Sequence, residues 1–85
     1  MTPGVLLQHA AAVLADRHAT YGDPLKSMAM VAARWSVTLG HPVTPAKVVL
    51  CMIDLKLARL AHDPTHRDSL VDVIGYSALL PEVTS

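Results

Sequence analysis

The 85 residues leave room for one domain, residues 1–85, with one modest core. Seven basic and seven acidic side chains cancel, which excludes the electrostatic footprint of a non-specific nucleic-acid binder. With 52% of residues apolar and 16% charged, a domain this small cannot hide its apolar surface alone, so a homo-oligomer, most simply a two-fold dimer, is expected.

The first stretch, "MTPGVLLQHAAAVLADR", lacks the basic start of a signal peptide, and Gln8, His9 and Asp16 interrupt its apolar positions. No apolar run reaches the roughly 18 residues of a membrane span, and the lone Cys51 has no partner for an internal disulfide. A cytoplasmic chain without a membrane partner is expected.

Threonine or aspartate precedes proline at Thr2-Pro3, Asp23-Pro24, Thr44-Pro45 and Asp63-Pro64. Each pair can open a helix, because the first side chain accepts from an orphan amide and proline needs no donor in the first turn. Four helices are predicted. The first covers about 3–17, with Leu6, Ala10, Val13 and Leu14 on one stripe, and ends before the loop "HATYGDP". The second covers about 24–39, with Met28, Ala32, Trp35 and Leu39 as its stripe and Gly40 at the C-cap. Trp35 reads as an anchor in the core or an interface.

The third, about 45–61, is apolar almost all round, which predicts a central helix touching the other three, with Cys51 in the core. The fourth, about 66–80, carries Leu70, Ile74 and Ser77 on one side, with Val73 and Leu80 close by. It is expected to stop before Pro81, leaving "EVTS" frayed. No strand alternation, repeat or Gly-rich phosphate loop interrupts this pattern. The fold class is all-α: a small bundle of four short helices, completed by oligomerisation.

The polar positions form two groups. Lys56 and Arg59 share a face of the third helix, with Asp54 opposite, and Asp68 and Asp72 stand at i and i+4 on the fourth. The short "HDPTHR" link makes the two helices antiparallel neighbours. One reading pairs Lys56 with Asp72 and Arg59 with Asp68 as structural ion pairs. The other makes Asp68 and Asp72 ligands of Mg²⁺, with Lys56 and Arg59 on substrate phosphates.

The second group is "RHATYGDP". As structure, its Tyr21 caps the core and its Asp23 caps the second helix. As function, Arg17 binds a phosphate and Tyr21 stacks on a base. His62 and His66 have a zinc-like interval, but Pro64 lies between them and no second ligand pair follows.

The order "RHATYGDP", "W", "LGHPVTP", "LKLARL", "HRDS" and "DVIGY" resembles a small helical family encoded by phages and prophages and known as a domain of unknown function. That implies a protein of the bacterial host cell's cytoplasm. At a greater distance the basic helix followed by an acidic one ending in "D..GY" is similar to MazG-type all-α nucleoside triphosphate pyrophosphohydrolases. This likeness implies nucleotide binding or hydrolysis with carboxylate-held Mg²⁺, and Asp72 matches the last acid of the enzymes' pattern. Ser69 stands where another acid is expected, no E-x-x-E pair is present, and Glu82 is the only glutamate. The contrasting expectation is a non-catalytic helical module that binds a protein, such as a phage inhibitor of a host or defence component.

Overall fold

The computed structural model describes residues 1–84. Among these residues there are four helices and no strand: α1 (Pro3–Tyr21), α2 (Pro24–Leu39), α3 (Pro45–His62) and α4 (Arg67–Thr84). Three of the four proline brackets open helices as the sequence implies. Thr2 Oγ1 accepts from the Val5 amide at 3.3 Å, Asp23 Oδ1 from Leu25 at 2.9 Å and Thr44 Oγ1 from Lys47 at 3.2 Å, each with proline in the first turn. The fourth bracket is a turn instead. Asp63 closes α3 and takes hydrogen bonds from the Thr65 amide and hydroxyl, and α4 starts only at Arg67.

Two helices outrun the sequence reading. α1 continues through the stretch expected to be a loop, because nothing in "HATY" breaks a helix before Gly22. There the backbone turns at φ 81° and ψ −153°, a conformation essentially confined to glycine. α4 passes through Pro81 to Thr84, so Glu82–Thr84 are helical; Ser85 lies outside the described residues. Proline there removes only the amide that would serve the Ser77 carbonyl, on an exposed residue. Thr84 Oγ1 donates to the Leu80 carbonyl at 2.7 Å and helps close the last turn.

The central element is α4, not α3. α4 packs on all three other helices, whereas α3 meets α4 and α2 but not α1. Small residues decide this more than apolar content. Ser69, Val71, Asp72 and Gly75 are the buried positions of α4, and a Cβ added at Gly75 would meet the Leu14 side chain only at ordinary contact distance. The buried stripe is therefore displaced from Leu70–Ile74–Ser77, of which Ser77 is exposed.

The fully buried apolar residues are Ala10, Ala32, Val48, Val49 and Val71. No leucine, methionine or aromatic residue is among them. Cys51, expected in the core, is exposed, because it lies on the side of α3 that faces neither α2 nor α4. No helix of the described residues is long and apolar enough to cross a membrane.

Candidate functional site

A groove of about 410 Å³ runs between the second half of α1, the Gly22 turn, the first turns of α2 and the middle of α4. Ala10, Val13, Leu14, Met28, Val71 and Leu79 make its apolar walls. Arg17, His18, Tyr21, Ser27, Asp72 and Tyr76 supply the polar groups. Each helix delivers its groups by simple periodicity. Leu14, Arg17, His18 and Tyr21 follow at intervals of three and four along α1, and Asp72, Tyr76 and Leu79 do so along α4.

At the floor lies Asp72, buried and shared by two cations. Its Oδ1 accepts from Arg17 Nη2 at 3.1 Å, and its Oδ2 is 3.1 Å from Lys56 Nζ. The two partners differ in exposure. The Lys56 side chain is 12% exposed and does not line the groove, while that of Arg17 is 49% exposed and does. Lys56 thus neutralises the carboxylate from behind, and the guanidinium is fixed at the front with donors to spare. Two cations against one anion leave an excess of one positive charge at a site with low-dielectric walls, an arrangement that favours an incoming anion.

The sequence-derived candidates are thereby sorted. Arg17, Tyr21 and Asp72 come together in the groove, with Lys56 supporting Asp72. Tyr21 is exposed on the last turn of α1 and does not cap the core. Arg59 and Asp68 are both exposed and make no ion pair with each other. Arg59 instead lines a shallow cleft at the α3–α4 corner with His62, Asp63 and His66.

His66 has a structural duty there. It precedes α4, and its Nδ1 lies 2.7 Å from Ser69 Oγ and 3.3 Å from the Ser69 amide, which donates to it. The ring thus does the work of an N-cap side chain. His9 Nδ1 similarly accepts from Arg67 Nε at 3.0 Å, tying α1 to the first turn of α4.

The Asp68–Asp72 pair, read from its spacing as a Mg²⁺ site, does not fit the ion. Only Asp72 lines the groove, both of its oxygens already face cations, and no three His, Cys, Asp or Glu side chains of the described residues converge. Reading the sequence alone misses the Arg17–Asp72 link, which spans 55 positions. It also misses His18, Ser27 and Tyr76 as lining residues. For Tyr76 a signal is present, since it stands one turn after Asp72 on the same face.

A family model described as a domain of unknown function (DUF6378) matches residues 4–84. Among curated proteins, the chain is similar to the Gene 55 protein of Mycobacterium phage L5. It is 34% identical to it over 69 residues, which are 80% of this chain and 44% of that relative. The Gene 55 protein of Mycobacterium phage D29 is 26% identical over 83 residues, 98% of this chain and 55% of that relative. The chain thus spans about half the length of the curated relatives it matches. No solved structure gives a significant match. These findings agree with the phage-family resemblance in the sequence and do not show the MazG-type one.

Proposed function

The chain belongs to this family of phage-type proteins described as a domain of unknown function, and we propose that it is a binding module that takes a nucleotide in the α1–α2–α4 groove without hydrolysing it. The observation that carries the reading is Arg17. It is held by an already neutralised Asp72 and opens into a groove flanked by Tyr21 and Tyr76. A guanidinium with unused donors suits a phosphate, and an exposed tyrosine beside it suits a base. About 410 Å³ is within the range of small-molecule sites. Binding rather than metal-dependent hydrolysis is favoured because one carboxylate committed to two cations offers no metal cradle.

Calorimetric and NMR titration with nucleoside mono-, di- and triphosphates, each with and without Mg²⁺, tests the reading. Binding that does not require Mg²⁺ and weakens with added salt is expected. Arg17→Ala should remove it while leaving the fold intact, since Lys56 still faces Asp72. Tyr21→Ala should weaken it by about 1–3 kcal/mol. The proposal fails if no nucleotide shifts the groove resonances, or if Arg17→Ala binds as well as the parent.

A further inference from the structure

The outer side of α3 carries a pattern that the single chain does not use. Lys47, Leu50, Asp54, Leu57 and Ala61 follow at spacings of three, four, three and four, and all five are exposed. Leu50 and Leu57 each keep 49% of their surface in solvent, and Cys51 and Ala58 flank the row, also exposed. A seam at this spacing is what one helix presents to another in a left-handed pair.

The size of the uncovered surface points the same way. A compact monomer of 9.1 kDa exposes about 4,900 Å², whereas this chain exposes 5709 Å². The excess, about 800 Å², is what one partner contributes to a standard interface. The radius of gyration, 13.6 Å, likewise exceeds the about 12 Å expected of a compact chain of this length.

We propose that the Lys47–Leu50–Asp54–Leu57 part of this α3 face is a homodimer interface in which two copies of α3 lie antiparallel about a two-fold axis. The charges select the direction. With the two-fold axis beside Leu50 and Cys51, antiparallel pairing sets Lys47 of each helix beside Asp54 of the partner, twice in each dimer, whereas parallel pairing would stack Lys47 on Lys47 and Asp54 on Asp54, and antiparallel pairing centred on Asp54 would set the two Asp54 side chains together. The competing apolar row is Lys26, Met30, Ala33 and Val37 on α2, also exposed. With Arg34 beside it this row offers two cations and no acid, so it has no such self-complementarity.

Sedimentation and light scattering of the full chain at micromolar concentration should give twice 9.1 kDa. Asp54→Lys, which places like charges together at both ends of the seam, should raise the dissociation constant at least about tenfold. The charge swap Lys47→Asp with Asp54→Lys should restore it. Val37→Lys should leave the dimer as it is. Circular dichroism should report unchanged helix content throughout, because every substituted residue is exposed. A monomeric parent would overturn the proposal. So would a dimer indifferent to Asp54→Lys, or one dissociated by Val37→Lys, since either outcome places the partner on another face.

Discussion

Asp72 takes charge from two cations of unequal burial, and the loss of each partner should therefore differ in cost. Asp72→Asn leaves the largely buried Lys56 ammonium without a counterion. We expect it to lower stability by about 2–4 kcal/mol, a little under the penalty for breaking a fully buried pair. Lys56→Met leaves Arg17 on the carboxylate and fills the space with an apolar stem, so about 1–2 kcal/mol is expected. Combining the two should cost less than their sum, because no buried charge then stands alone. Urea denaturation of the three variants measures this directly. If Lys56→Met proves as harmful as Asp72→Asn, the Arg17 contact contributes little in solution. Asp68, exposed and outside this cluster, should be replaceable by asparagine with an effect within about 0.5 kcal/mol.

Among the elements, the α3–α4 corner has a pH dependence of its own. Hydrogen bonds from the Thr65 hydroxyl, then from the Thr65 amide, hold the Asp63 carboxyl below its ordinary 3.8, with desolvation opposing and His66 adding a still smaller attraction. A depressed folded-state pKa means that the stabilisation is complete above the ordinary value and is lost as pH falls through the lowered one. The corner should thus loosen only in acid, below about pH 4, and Asp63→Asn should flatten that part of the stability profile. Urea midpoints of the parent and Asp63→Asn between neutral pH and pH 3 decide it; parallel curves would show that the Thr65 contacts do not persist. The same corner shows how far the sequence can be read. Proline fixes local backbone geometry, so the first three helix starts were legible from cap residue and proline together. At Asp63-Pro64 the identical pair serves a turn, because α4 takes its N-terminal acceptor from His66, a residue type that cap statistics do not favour. The centrality of α4 was illegible for a related reason. Apolar content marks helices that seek burial, but Ser69, Asp72 and Gly75, which are among the buried positions of α4, carry no hydrophobic signal. Arg17 meets Asp72 because α1 packs against α4, 55 positions along the chain, a tertiary consequence that no local pattern encodes.

At the scale of the whole molecule, five small apolar residues form the fully buried core, while Leu50, Leu57, Met30 and Val37 remain exposed in the single chain. Stabilisation by burial grows with apolar area removed from water, and Ala and Val supply less of it than Leu, Met or an aromatic ring. Against the conformational entropy of ordering the chain, such a core leaves an isolated copy only marginally stable. A second copy seated on α3 binds the folded state and not the unfolded one, so its association free energy adds to folding and depends on concentration. The melting temperature should accordingly rise with protein concentration over the range in which the dimer forms, and the unfolding profile should steepen with it. Asp54→Lys should remove that dependence and leave a lower, concentration-independent transition. Arg17→Ala, which alters the groove on a different face, should keep it. Differential scanning calorimetry across a hundredfold concentration series, roughly the span that shifts a bimolecular equilibrium by 2.7 kcal/mol, separates the cases. A transition fixed in temperature for the parent would mean that the small core suffices, and that the exposed leucines of α3 are not covered by a second copy.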